Sequence, residues 1–142
     1  MAPSDDQAGE RSIDELRSVL ADEPDIAYAL LFGSAGRGAL RPGSDLDVAV
    51  ELRRQAPRDT GALGRLAARL ESAAGRHVDL ILLEEAAAPL AYRIFRDGRL
   101  LVERDRSARV ARTARAILEY LDFKPVEDRC TEGVLRVAAS RG

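Results

Sequence analysis

The sequence has little cysteine, no long apolar run and no excess of positive charge. Its single cysteine, Cys130, excludes an internal disulfide framework and a cluster of thiolate metal ligands. No apolar run approaches the roughly 20 residues needed to span a bilayer. The first residues, MAPSDDQAGER, are polar and acidic and do not resemble a secretion signal. We therefore expect a cytoplasmic protein without a membrane partner.

The balance of charges argues against direct binding of nucleic acids. The 22 basic residues are outnumbered by 24 acidic ones, which gives a formal net charge of -2, whereas nucleic-acid binders usually carry a basic surface. Hydrophobic residues make up 46% of the 142 residues and charged residues 32%. This composition is typical of one soluble globular domain with a single hydrophobic core.

The apolar segments alternate between strand-like and helix-like patterns, which predicts an α/β (α+β) fold. Short apolar runs bounded by turn residues predict four strands, at 26–32, 46–52, 78–83 and 99–102. Helical periodicity predicts an N-terminal helix and three further helices, at 60–74, 85–96 and 107–121. The expected architecture is a small mixed sheet of about four strands with flanking helices and a C-terminal helical extension.

Two local signals set the ends of this arrangement. Ser12 and Glu15 have the spacing of a capping box, so the first helix is predicted to begin at Ser12. Lys124 and Pro125 are predicted to interrupt the C-terminal helix, since proline removes a backbone donor, and another helix would follow. These signals divide the chain into a flexible tail, a sheet-containing domain and a helical extension, at residues 1–11, 12–105 and 106–142.

Residues 30–50, LLFGSAGRGALRPGSDLDVAV, run from an apolar segment through a glycine-rich loop to two aspartates. Asp45 and Asp47 are two positions apart, so in an extended strand they project from the same face. Two close carboxylates repel each other unless a cation lies between them. Mg²⁺ favours carboxylate oxygens together with water and substrate phosphates. The pair therefore predicts a magnesium site.

Residues on either side of this pair fit a phosphate substrate. Gly33 lets a backbone approach a ligand closely, Ser34 offers a hydroxyl and amides to an anion, and Arg37 and Arg41 add positive charge. Asp79 lies inside the apolar run HVDLILL, where an unpartnered charge is costly, and it completes the cluster if the second and third strands are neighbours. Three carboxylates, two metal ions and a phosphate cradle form the apparatus for nucleotidyl transfer.

Simpler interpretations exist for each of these features. A glycine-rich loop that ends in Ser-Asp is often a turn with a side-chain cap, but the order and combination of the residues favour a functional metal site. His77 could share the face of Asp79, although a polar residue at a strand entrance is the expected role. The basic patch after the second strand is either a solvated loop or a contact for a phosphate or an acidic partner, and it comprises Arg53, Arg54 and Arg58.

Together, these residues resemble a known signature. Gly33-Ser34, ten intervening residues and then Asp45-Leu46-Asp47 are similar to the GS-x10-DxD motif of the nucleotidyltransferase superfamily that includes DNA polymerase beta. More narrowly, the stretch resembles the minimal nucleotidyltransferase (MNT) proteins, and VDLILL resembles their strand with the third carboxylate. The segment ARAILEYLDFKP resembles the tail of MNT antitoxins that are paired with HEPN-domain toxins.

The resemblance implies a role for each matching residue. Gly33 and Ser34, together with Arg37 and Ser44, would bind the phosphates of the nucleotide. Asp45, Asp47 and Asp79 would be the catalytic residues. They would also be the metal ligands and would hold two Mg²⁺ ions. Asp79 would also help to activate the incoming hydroxyl.

The resemblance also implies a function. The protein would transfer AMP from ATP to a tyrosine of a partner HEPN ribonuclease toxin, release pyrophosphate and silence the toxin in a hetero-oligomer. One alternative is an antitoxin that acts by complex formation with little catalysis, and another is nucleotidyl transfer to a small molecule. The amphipathic helix at 107–121 could dock against a partner helix or pack on its own domain.

Overall fold

The computed structural model describes residues 5–38, 41 and 43–140. The elements in chain order are α1 Asp5–Ala21, β1 Ile26–Phe32, α2 Gly33–Gly36, β2 Leu46–Leu52, α3 Thr60–Ala74, β3 Val78–Leu82, a 3₁₀ turn Leu83–Glu85, α4 Ala88–Asp97, β4 Arg99–Glu103 and α5 Arg106–Ser140. Strands β1 and β2 and helix α3 have the predicted bounds. Asp59 caps the start of α3, where its side chain accepts a hydrogen bond from the Gly61 amide, and the left-handed Gly75 ends this helix.

The four strands form one mixed sheet in the order β3-β2-β1-β4. β1 runs antiparallel to β2 and to β4, whereas β2 and β3 are parallel and are joined across the sheet by α3. This arrangement confirms the predicted α/β (α+β) fold class. It also makes β2 and β3 direct neighbours, so that Asp47 pairs with Asp79 in the register of the two strands.

Helices cover both faces of the sheet. On one face, α1 and α3 place Leu16, Leu20 and Leu70 against Val48 and Val50 of β2. The opposite face packs against α4 and the beginning of α5 through a second apolar cluster, which includes Tyr28, Leu30, Ala49, Ile94 and Ala108. Because side chains alternate along a strand, Asp47 and Glu51 share this second face of β2 with Ala49.

The predicted start of the first helix at Ser12 is wrong, because α1 begins at Asp5. Ser12 is buried within the helix and does not cap it. The single proton of its hydroxyl is shared between two acceptors, the carbonyl of Ala8 one turn earlier at 3.2 Å and the carbonyl of Ala74 at 3.0 Å. A serine hydroxyl can be satisfied by a backbone carbonyl inside a helix as well as at its start, so the capping spacing was misleading.

The predicted interruption of the C-terminal helix is also wrong, since α5 continues through Pro125 as far as Ser140. Proline removes one backbone hydrogen bond, but its fixed φ is compatible with a helix, so the helix does not have to end there. The predicted helix at 85–96 begins instead at Ala88, after the 3₁₀ turn, with proline in its first turn. Throughout the described ranges, no helix combines the length and apolarity that crossing a membrane requires.

Candidate active site

The loop after β1 contacts the first carboxylate of the site directly. Gly33 has a φ of +70°, and a Cβ atom at this position would collide with the Oδ2 atom of Asp47. Only glycine combines this backbone conformation with so little volume. The close approach brings the backbone at the start of α2 against the carboxylate of β2.

The three predicted aspartates lie together at the adjoining ends of β2 and β3. Asp47 is opposite Asp79 in the parallel register, and Asp45 precedes it by two residues on the same side of the chain. Asp45 and Asp79 also group with His77, and each of the three offers a ligand atom within 4.8 Å of the other two. The parallel pairing of β2 with β3 therefore brings together aspartates that are more than 30 positions apart in the sequence.

The electrostatics of this cluster are unfavourable without a cation. Burial raises the pKa of Asp47 above its ordinary value, and the neighbouring carboxylates of Asp79 and Asp45 raise it further. In the part of the chain that the structure describes, neither an arginine nor a lysine forms an ion pair with these three carboxylates. The ligand atoms of Asp45, Asp79 and His77 are close enough together to hold a divalent cation such as Mg²⁺, with the Asp47 carboxylate beside them, and such a cation would offset the repulsion.

His77 is bound more closely to the site than its position at a strand entrance indicated. Its Nε2 lies 2.9 Å from Oδ1 of Asp79, and its Nδ1 lies 2.7 Å from Oε1 of Glu71 at the end of α3. The hydrogen bond to Asp79 raises the pKa of His77. Because carboxylates accept and do not donate, both contacts are hydrogen bonds only when the imidazole carries two protons.

Sequence reasoning overlooked Glu71 completely. The spacing of His77 and Asp79 along a strand indicates a shared face, which is the only local signal for this group. Glu71 lies six residues before His77 on a different element, and its carboxylate also accepts a hydrogen bond from the Val78 amide at 3.1 Å. The turn from α3 into β3 thus aligns Glu71, His77 and Asp79 in one chain of contacts.

The remaining predicted residues lie in the segment between β1 and β2. Ser34 and Ser44 are half-buried, and neither side chain has a hydrogen-bond partner within the described ranges. Arg37 is exposed. The pKa of Asp97, at the end of α4, is lowered mainly by its hydrogen bond with Arg96, and the charge of Arg37 lowers it further. The carbonyl of Arg41 accepts a hydrogen bond from the Ser44 amide at 3.1 Å. Neither arginine contacts the carboxylate cluster directly.

A family model agrees with this arrangement. The model of the polymerase beta nucleotidyltransferase domain matches residues 14–107, which include the whole sheet and all three aspartates. Among curated proteins, none matches the sequence.

Solved toxin-antitoxin structures have the same fold. A toxin-antitoxin complex with AMP-PNP superimposes with a TM-score of 0.73 at 25% identity, covering 87% of this chain and 98% of the other. A tri-AMPylated Shewanella oneidensis HEPN toxin in complex with its MNT antitoxin gives a TM-score of 0.69 at 23% identity and covers 89% and 98%. The MntA-HepT complex gives 0.68 at 23% identity with the same coverage.

Proposed function

Since the chain belongs to the polymerase beta nucleotidyltransferase family, we propose that it is an antitoxin that transfers AMP from ATP to a tyrosine of a HEPN toxin. The grouping of Asp45, Asp47 and Asp79 beside Gly33 supports this proposal most directly. Transfer would proceed at residues 12–105, and the helical extension at 106–142 would contact the partner. ATP as donor is consistent with a cytoplasmic protein.

Each part of the site has a task in this reaction. Asp45, Asp47 and Asp79 would hold two Mg²⁺ ions, which when bound stabilise negative charge on the phosphates and on the departing pyrophosphate. The backbone at Gly33 and the Ser34 hydroxyl would hold the triphosphate, with Arg37 and Ser44 beside it.

The chemical step is a displacement at phosphorus. The tyrosine oxygen forms a bond to the α-phosphorus of ATP, and the bond from that phosphorus to the oxygen bridging the β-phosphate breaks. Pyrophosphate leaves with this bridging oxygen. Asp79 is the carboxylate that accepts the hydroxyl proton and orients the attacking oxygen. Glu71 and His77 hold Asp79 in place for this role.

The solved neighbours support the donor and the acceptor. One of them is a toxin-antitoxin complex with AMP-PNP, an analogue of ATP. Another contains a tri-AMPylated HEPN toxin together with its MNT antitoxin. Both observations belong to those proteins, and they favour ATP as donor and a HEPN protein as acceptor for this chain.

Intact-mass measurement of a HEPN partner tests the proposal. We expect incubation with this protein, ATP and Mg²⁺ to add whole AMP units to the partner, and Asp45→Asn to stop the addition without unfolding the protein. Asp22→Asn is the matched control, because Asp22 is an exposed aspartate outside the cluster. Normal transfer by Asp45→Asn would show that the metal-site assignment is wrong.

One observation favours complex formation as a second candidate function. Helix α5 exposes large apolar side chains, which a binding antitoxin could use without catalysis. In that case, substitution of all three aspartates would leave protection from the toxin intact. A growth assay with the toxin and the triple aspartate variant separates the two functions.

A further inference from the structure

The apolar stripe on α5 is exposed where an amphipathic helix would normally be buried. Val110, Ile117, Leu118 and Leu121 are between 42% and 64% exposed. Their spacing places them on one side of the helix. A contiguous apolar surface of this kind marks an interaction site.

The opposite side of α5 already packs on the domain. Ala116 is buried, and Tyr120 stacks on Tyr92 of α4 with 4.1 Å between ring centroids. Arg112 forms an ion pair with Glu51 of β2 at 2.6 Å. Because these contacts fix the rotation of the helix, the apolar stripe faces away from its own domain.

A cleft of about 520 Å³ lies beside the first turns of α5, at the end of β2. Its charged lining contains three carboxylates and five arginines, and the arginines are Arg53, Arg54, Arg58, Arg112 and Arg115. Arg115 is paired with Glu119 just outside the lining, at 2.8 Å, so the cleft carries an excess of one positive charge.

Two of these arginines have no carboxylate partner within the described ranges. Arg112 is neutralised by Glu51, and Arg58 lies 3.4 Å from Glu84. Arg53 and Arg54 are exposed, and no ion pair joins their side chains to any other residue in the described ranges. An acidic ligand is the electrostatic complement of this part of the cleft.

The cleft and the stripe lie next to each other along α5. Ala111 and Arg115 of α5 line the cleft, and Leu118 lies one helical turn beyond Arg115. We propose that this combined surface docks an amphipathic helix of the partner toxin whose apolar face covers the α5 stripe and whose carboxylates meet Arg53 and Arg54. This inference rests on the proposed function for the identity of the partner. The phosphates of a nucleic acid could pair with the arginines, but they would not cover the apolar stripe.

The docking surface is separate from the carboxylate cluster. Glu51 at the cleft and Asp47 at the cluster lie four residues apart on one strand, roughly 13 Å at about 3.3 Å per residue. Binding and transfer can therefore be removed independently of each other.

Calorimetric titration of the purified toxin into variants of the full chain tests the surface. Leu118→Asp should weaken binding by at least about tenfold, as expected for a hot-spot side chain. Arg54→Glu should weaken binding by about threefold to tenfold and reduce its dependence on NaCl concentration. The matched controls are Leu100→Asp on β4 and Arg65→Glu on α3, which are exposed positions away from the surface and should bind normally.

The outcomes distinguish this inference from the proposed function. Normal binding by both Leu118→Asp and Arg54→Glu would overturn the docking surface, even if the wild-type protein still transfers AMP. Binding that depends on both residues without any AMP transfer would support the surface and overturn the proposed reaction. Self-association of the wild-type chain that Leu118→Asp abolishes, with unchanged toxin affinity, would identify a second copy as the occupant and also overturn the inference.

Discussion

Two carboxylates lie on the same face of β2, at opposite ends of the strand, and only one of them is neutralised by a basic side chain. Glu51, at the end of the strand, is 12% exposed and is neutralised by Arg112 at 2.6 Å. The pKa of Asp47, at the beginning, is raised first by burial and then by two neighbouring carboxylates. A carboxylate that the protein neutralises itself contributes to the fold, whereas a group of unneutralised carboxylates costs stability and indicates a role in function.

The largest expected effect comes from Asp47→Asn, which removes charge from the unneutralised end. Transfer should fall by on the order of a thousandfold, because under the proposed function the site loses a metal ligand. Without metal at neutral pH, the free energy of unfolding should stay the same or rise, since ionised Asp47 repels its neighbours. Radiolabelled AMP transfer and thermal unfolding measure the two effects. A large loss of stability would contradict the contrast between the two strand ends.

The second prediction concerns the backbone that touches Asp47. Gly33→Ala should reduce transfer by about a hundredfold, because the new Cβ atom displaces the carboxylate. Gly43→Ala is a matched control, since Gly43 also has a positive φ, of +73°, but no atom lies within 4 Å of a Cβ placed there. Both variants bear backbone strain, so their thermal unfolding should shift in the same direction. Equal activity of the two would show that contact with Asp47 is unimportant.

The third prediction sharpens the comparison at His77. His77→Asn should weaken Mn²⁺ binding by about tenfold, because Asp79 loses the partner that orients it. Paramagnetic resonance of bound Mn²⁺ measures this affinity without relying on turnover. Arg76→Asn is the neighbouring control, and it should leave Mn²⁺ affinity unchanged because Arg76 contacts the carbonyl of Arg41 and not a carboxylate of the cluster.

The smallest expected effect is at the neutralised end. Glu51→Gln should lower the free energy of unfolding by about 1–2 kcal/mol, since Arg112 loses its charged partner. AMP transfer measured with an acceptor at saturating concentration should not change. Chemical denaturation combined with the transfer assay tests both statements, and a large loss of transfer with intact stability would remove the distinction between structural and functional carboxylates.

The sequence predicted β1, β2 and α3 to the residue because their signals are local. Apolar runs bounded by turn residues define the two strands, and helical periodicity defines α3, whose ends Asp59 and Gly75 cap in the structure. The start of α1 was missed because the hydroxyl of Ser12 makes a contact with Ala74 that lies 62 positions away. Local spacing contains no information about such a partner.

In the candidate site and in α5, too, local sequence patterns did not reveal contacts with residues on other elements. The spacing of Asp45 and Asp47 indicates a shared strand face, but the contribution of Asp79 depends on the pairing of β2 with β3, and that of Glu71 depends on the turn after α3. For α5, periodicity identified the apolar face correctly. It did not show that Arg112 and Tyr120 would anchor the opposite face and leave the apolar one exposed.

The register of β2 against β3 also has a consequence for quality control of the protein. A slip of β3 by one residue would turn Asp79 to the side covered by α1 and α3 and disperse the carboxylates. A chain with this error would be inert as a transferase even if it remained compact. Under the proposed function, only correctly folded molecules would modify the partner, so transferase activity would itself report that the crossover through α3 has formed properly.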